Sequence, residues 1–188
     1  MEKVRLQLSS VSEIVGNDNL GLIVLTDNPC KRQLTIVCEQ YIASQLEMRA
    51  KGIPISKMLL PEVLSYFITQ LAGIQIEIII HDLVDGQYRA VIKSSQIESP
   101  VPIRVSDAVL LSVAGNIPLY IDSQLMNRQS VPFSQLKEGV ALPVNTLSND
   151  MLDYALEKAV NEENYELASQ LRDERNKRKK TTNKQEEQ

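Results

Sequence analysis

Residues 101–121 constrain the fold more than any other stretch. Val101 to Val105 reads as a strand, and an apolar helix starts at Ser106 with Asp107-Ala108-Val109-Leu110-Leu111. Gly115 reads as the stop of that helix, and Ile117-Pro118-Leu119-Tyr120-Ile121 as a further strand. A chain that passes from strand to helix to strand in about twenty residues must lay the helix against the sheet holding those strands. Ser106 has the chemistry of an N-cap, worth about 1 kcal/mol. Asp107 in the first turn suits the positive end of the helix dipole. Arg104 can pair with Asp107 or another acid, or bind phosphate through its planar fork.

The remaining elements follow from periodicity. Val4, Leu6 and Leu8 alternate with polar residues as in a half-buried strand. Leu20–Leu25 and Gln33–Cys38 read as an antiparallel pair joined by a turn at Asp27-Asn28-Pro29. Ile42, Ala43, Leu46 and Ala50 then lie on one helical face, and Gly52 ends that helix. Pro61 suits the first turn of a second helix, whose expected buried stripe is Val63, Leu64, Phe67, Ile68 and Leu71, with Gly73 as its stop. Ile74–Ile80 and Gln87–Lys93 are strands around the turn signal Asp85-Gly86. Strands, two helices, a hairpin, a strand, a helix and a strand do not alternate regularly. The expectation is therefore an α+β fold with a mixed, largely antiparallel sheet and packed helices.

A domain over residues 1–128 is followed by a connector over 129–149, where Gln129–Val140 can hold a short strand or helix. Residues 150–180 read as a helical hairpin. Leu152, Ala155, Leu156, Ala159 and Val160 form the first stripe, Asn161-Glu162-Glu163-Asn164 the turn, and Tyr165, Leu167, Ala168 and Leu171 the start of the second. Two short amphipathic helices are marginal alone, so this hairpin is expected to meet a protein partner. Residues 181–188 read as a disordered tail.

The net charge of −4 argues against a broad nucleic-acid-binding surface, although Arg175, Lys177, Arg178, Lys179 and Lys180 form one basic run. Such a run is more often a solvated helix end. Tryptophan is absent and aromatics make up 4%, so the core must be aliphatic. Cys30 and Cys38 fit no common zinc or redox spacing. The first residues lack the apolar stretch of a signal peptide, and Leu71–Ile80 is too short and too polar to span a bilayer, so a cytoplasmic location without membrane association is expected. His81 is the only histidine and has no nucleophile motif beside it, and no glycine-rich phosphate loop occurs.

Several landmarks over residues 3–128 resemble the bacterial bifunctional nuclease (BFN) domain. They are Val4-Arg5, Leu34-Thr35-Ile36-Val37 leading into a helix, Asp82-Leu83-Val84-Asp85-Gly86, Arg104-Val105-Ser106-Asp107-Ala108, and Ile117-Pro118-Leu119-Tyr120-Ile121. The resemblance implies an α+β fold, self-association into a homo-oligomer, and nuclease activity reported for some members. Residues 150–180 are similar to the UVR motif, a protein-interaction hairpin of the excision-repair proteins UvrB and UvrC and of some stress adaptors. The matching residues are Leu156, Ala159, Tyr165, Glu166, Ala168 and Leu171-Arg172-Asp173, with Tyr165 in place of the usual phenylalanine. That similarity implies partner binding through Leu156, Ala159, Tyr165, Ala168, Leu171 and Arg172.

The polar set common in the BFN family is thinned here. Ile42 stands where many members carry glutamate, Leu60-Pro61-Glu62 where they often carry Thr-His-Asp, and Pro102 where an acid often precedes the arginine. The residues left for phosphodiester chemistry are Asp107, Arg104 and Glu62. Arg104 and Ser106 are the candidate substrate ligands, and Asp107, Glu62 and Asp82 the candidate ligands of Mg²⁺ or Mn²⁺. Asp82 also suits a plain turn former. Two readings stand: a nuclease acting on RNA or DNA, or a non-catalytic self-associating scaffold or stress-response regulator that recruits a partner through the hairpin. A nucleic-acid-binding module without chemistry is a third.

Overall fold

The alternating Val4, Leu6 and Leu8 belong to a longer strand, β1 (Lys3–Ile14), which pairs antiparallel with β2 (Asn17–Asp27) on one side. On its other side β1 pairs antiparallel with β7 (Leu119–Asp122). In this computed structural model, residues 2–14, 17–133, 147, 149–161 and 163–186 are described. They fall into two units, Met1–Asp82 with Tyr88–Glu138 and Leu83–Gln87 with Gly139–Gln188.

The sheet of the first unit is completed by β3 (Arg32–Glu39), β4 (Glu77–Val84), β5 (Gln87–Lys93), β6 (Val101–Arg104) and β8 (Val131–Pro132). Its order is β6-β5-β4-β7-β1-β2-β3-β8. Strands β4 and β7 run parallel and, among the described residues, the pairs β1–β2, β1–β7, β2–β3, β3–β8 and β5–β6 run antiparallel, so the sheet is mixed and mostly antiparallel, as expected for an α+β fold. Both edge strands carry a proline, Pro102 in β6 and Pro132 in β8. Strand β4 starts at Glu77 rather than at Ile74.

Helices α1 (Gln40–Ala50) and α3 (Val105–Gly115) pack against the sheet and each other. Their inward residues Ile42, Ala43, Leu46, Ala108 and Val109 meet Ile23, Leu25, Leu34, Ile36, Ile78, Ile80 and Ile121 in an aliphatic core. Each such side chain contributes about 1.5–3 kcal/mol by leaving water. Glu39 at the end of β3 and Arg104 at the end of β6 stand six places apart in the strand order. In a flat sheet with strands about 4.8 Å apart that is nearly 30 Å. Their side chains touch at 2.6 Å, so the sheet curls around the two helices.

Three helix details depart from expectation. Helix α3 begins at Val105, because Arg104 is still extended (φ −64°, ψ 142°) and is itself the N-cap. Ser106 is therefore not the cap; it lies one residue inside the helix and is buried. The helix stops at Asn116, whose left-handed backbone (φ 51°, ψ 37°) lets its N–H donate to the Ser112 carbonyl. Gly115 serves another purpose: a Cβ there would collide with the Ser65 hydroxyl. It allows α2 (Leu60–Tyr66) to approach α3 closely.

Helix α2 overturns the expected stripe. Val63, Leu64, Phe67 and Leu71 are exposed, and the buried residue of α2 is Ser65. Two polar contacts set this rotation. Ser65 faces Gly115, and Glu62 faces Arg49 of α1 in a two-pronged ion pair, Nε–Oε1 2.8 Å and Nη2–Oε2 2.6 Å. The Arg49 side chain is only 5% exposed, and its Nη1 also donates to the Gln45 carbonyl at 2.7 Å. With the small and charged residues turned inward, the apolar ones face out. The α2 segment continues as a π-helical turn over Phe67–Leu71.

Asp27 closes the β2–β3 turn. Its carboxylate accepts from the Lys31 N–H (2.8 Å), the Arg32 N–H (2.9 Å) and Arg32 Nε (2.9 Å). Burial alone would raise its pKa, but the Arg32 and Lys31 donors outweigh burial and hold it below the usual carboxylate value. The expected domain ends in a further helix, α4 (Ser123–Gln129), capped by the Asp122 carboxylate, and the expected connector opens with β8. The remainder of the expected Gln129–Val140 element, from residue 134, lies outside the described residues.

The second unit is a hairpin of α5 (Asn149–Asn161) and α6 (Tyr165–Glu186). Helix α6 runs past residue 180 into the stretch expected to be a disordered tail, whose lysines and glutamines are compatible with helix. Leu147, Leu152, Ala159, Ala168 and Leu171 form its core. Asn164 caps α6 by accepting the Leu167 N–H at 3.2 Å. Arg178 is buried, donating to the Leu147 carbonyl (2.7 Å), Asn149 Oδ1 (3.1 Å) and Glu174 Oε1 (2.9 Å). Arg175 pairs with Asp153 at 2.7 Å. Two members of the basic run thus tie the hairpin together. Among the described residues no helix is long and apolar enough to cross a membrane.

Two outcomes follow. Glu62→Ala, which strands Arg49, is expected to cost about 3 kcal/mol in chemical denaturation; a loss under about 0.5 kcal/mol would contradict a structural role for the pair. Asp27→Asn is expected to lower stability near pH 7. Because the folded-state pKa is depressed, the gap to wild type should hold above about pH 4 and shrink as pH falls through the folded pKa. A gap independent of pH would contradict this.

Candidate functional site

Two loopless strand-to-helix junctions meet in the first unit. Strand β3 passes into α1 at Glu39, and β6 passes into α3 at Arg104; both residues are N-caps in extended backbone, and neither side chain caps its own helix. The N-terminus of a helix carries about half a positive charge. Two such ends and a guanidinium at one corner call for negative charge, and two carboxylates supply it. Arg104 Nε donates to Asp107 Oδ2 at 2.7 Å, Nη2 to Asp107 Oδ1 at 3.3 Å, and Nη1 to Glu39 Oε1 at 2.6 Å.

The corner is open to solvent: the Arg104, Glu39 and Asp107 side chains are 62%, 52% and 38% exposed. Its hydrogen bonds and attraction to Asp107, then to Glu39, push the Arg104 pKa further above the ordinary arginine value. Exposed pairs contribute little stability, about 0–1 kcal/mol each. They are correspondingly cheap to open, so the guanidinium can exchange a carboxylate for an incoming phosphate oxygen. A carboxylate released in that exchange is placed to accept a proton.

The other candidates lie elsewhere. Glu62 sits on α2, engaged by Arg49. Asp82 is exposed on β4. Ser106 falls between Arg104 and Asp107 in the chain, but its side chain is buried within α3. Among the described residues no group of three or more His, Cys, Asp or Glu side chains comes together to hold a metal ion. Asp107, Glu62 and Asp82 therefore do not fit a shared Mg²⁺ or Mn²⁺ site. A cleft of about 290 Å³ lies at the opposite end of α3, lined by Arg5, Gln7, Asn28, Ser112 and Asn116 among others; an 11-residue helix is about 16 Å long.

On the hairpin, Ala159, Ala168 and Leu171 are spent in its own core, Leu156 is half-buried, and Tyr165 and Arg172 are exposed. Two residues of importance were not singled out from sequence. Glu39 has the same grammar as Arg104, a charged residue between an apolar strand and a helix, and that repetition is the signal that marks it. Arg49 had no such signal, because its pairing with Glu62 depends on how α2 is rotated.

The family model described as the bifunctional nuclease domain matches residues 23–134, a span that holds both junctions, the Glu39–Arg104–Asp107 corner and the Arg49–Glu62 pair. No curated protein matches the chain. The matched span covers more than half of the 188 residues, and the chain belongs to the bifunctional nuclease domain family.

Proposed function

We propose that this chain is a nuclease that hydrolyses phosphodiester bonds of RNA or DNA at the Glu39–Arg104–Asp107 corner. Membership of the bifunctional nuclease domain family is the observation that carries this reading. Arg104 binds a non-bridging phosphate oxygen through its fork and stabilises the charge that builds up as water attacks phosphorus. Asp107, or Glu39 on the other side, takes the proton of that water as the P–O bond to the leaving ester oxygen breaks, and the carboxyl so formed returns the proton to that oxygen, which leaves as a hydroxyl. The dispersal of Asp107, Glu62 and Asp82 gives no three-carboxylate metal site, so no step here passes through Mg²⁺ or Mn²⁺. The α5–α6 hairpin is proposed as a UVR-like protein-interaction element, in which the exposed Tyr165 and Arg172 meet the partner and the buried Ala159, Ala168 and Leu171 hold the shape.

A second reading has an observation of its own. The corner is internally paired, one guanidinium against two carboxylates, which suits a non-catalytic, self-associating scaffold as well as an enzyme at rest. The two readings part on cleavage. Full-length protein is to be incubated with single- and double-stranded RNA and DNA, with and without Mg²⁺, Mn²⁺ or chelator. Cleavage is expected, reduced about 100-fold or more in Arg104→Ala and in Asp107→Asn. No cleavage of any substrate, or cleavage unchanged in both variants, overturns the proposed site.

The hairpin is tested separately. Tyr165→Ala combined with Arg172→Ala is expected to lower partner capture in a pull-down about tenfold while circular dichroism stays unchanged. Undiminished capture would remove these two residues from the interface.

A further inference from the structure

Strand β5 places Arg89 directly opposite Arg104 in its ladder with β6. Residues opposite each other in an antiparallel pair stand on one face of the sheet, their Cβ atoms about 5 Å apart, and like charges there repel. The face is the solvent side: Tyr88 and Ala90, the neighbours of Arg89 in the strand, are buried, and Arg89 is exposed. The two guanidiniums are in different states. Arg104 is engaged by Asp107 and Glu39, whereas Arg89 makes no hydrogen bond or ion pair among the described residues. Asp82 in the neighbouring strand β4 does not pair with it.

The fold does not account for a cation at this position. Charged side chains guard exposed strand edges, but β5 is an inner strand, and the edge is β6, which carries Pro102. A solvent-facing strand position needs only a polar residue, and Arg104 makes a second arginine the least favourable polar choice opposite it.

We infer that Arg89 is a second phosphate ligand of the corner, seating the phosphodiester beside Arg104. The inference rests on the reading that this corner acts on phosphodiesters. Glu39, Asp107 and Arg104 alone leave one net negative charge, which repels such a substrate. Arg89 cancels it. The N-termini of α1 and α3, each about half a positive charge, then leave a surplus matched to the single negative charge of a phosphodiester. Such a group presents two non-bridging oxygens, and two planar forks on one face can take one each. The two arginines have separate parts. Arg104 must release a carboxylate before it binds, whereas Arg89 breaks no ion pair and engages first. Arg89 therefore holds the substrate equally before and during attack on phosphorus, which sets KM rather than kcat.

The test uses the full-length chain. Cleavage kinetics are read on labelled single-stranded RNA and DNA. Binding is read by anisotropy on a phosphorothioate strand, which keeps the charge and resists cleavage. Arg89→Ala is expected to raise both KM and the Kd about tenfold, with kcat within about twofold of wild type. Arg89→Lys keeps the charge and loses the fork, and should recover part of the loss. Arg5→Ala removes the same charge at the far end of α3 and should change neither constant. Arg89 is already in solvent, so folding should survive, as circular dichroism will show. Unchanged KM and Kd in Arg89→Ala overturn Arg89 as a ligand and leave the nuclease reading standing. A fall in kcat at unchanged KM, or an equal loss in Arg5→Ala, does the same. Wild type that binds without cleaving, with binding weakened by Arg89→Ala, supports Arg89 and overturns the nuclease reading alone. Wild type that neither binds nor cleaves overturns both.

Discussion

Packing of α1 and α3 inside the curled sheet is the constraint from which the first unit follows. Neither helix has a loop ahead of it, so each must leave its strand at once and turn its apolar side, Ile42, Ala43 and Leu46 or Ala108 and Val109, onto the sheet. Strands at distant positions in the order can both deliver helices to one core only if the sheet bends. The bend brings Glu39 and Arg104 together. Electrostatics at the corner is thus a by-product of hydrophobic burial. Surface pairs worth about 1 kcal/mol or less could not impose that curvature, whereas the aliphatic core is worth many times more.

Once the helices are in place, polar contacts decide orientation. Helix α2 has an apolar stripe that would bury more area if it faced inward. It faces outward because Arg49 is already buried beside it and must be neutralised, and because Gly115 leaves room only for a side chain as small as Ser65. An uncompensated buried guanidinium costs several kcal/mol, comparable with what one or two leucines gain by burial. The orientation of a single helix therefore converts core-type sequence into surface.

The strands, the helices around Ile42 and Val109, the Asp85-Gly86 turn and the hairpin of residues 150–180 were legible because their periodicity is strong and their burial follows it. The Arg104–Asp107 pairing was also legible, since three residues across a strand–helix boundary leave few partners. What was not legible depends on tertiary placement. Ser106 has the chemistry of a cap, but the helix begins one residue earlier. Gly115 has the chemistry of a stop, but its lack of a side chain serves α2, and Asn116 takes the left-handed position. The α2 stripe has the right period and the wrong direction, because period fixes which residues share a face and says nothing of what the face meets. Glu39 and Arg104 belong together only after the sheet has curled.

The prolines at the two ends of the sheet bear on a different property. A strand edge with free N–H groups invites another strand to dock, and repetition of that event builds an open-ended stack. Strand β6 is four residues long with Pro102 inside it, and β8 is two residues long and ends in Pro132. Neither rim offers an unbroken ladder of donors. Growth of a filament by edge-on strand addition is therefore blocked at both rims.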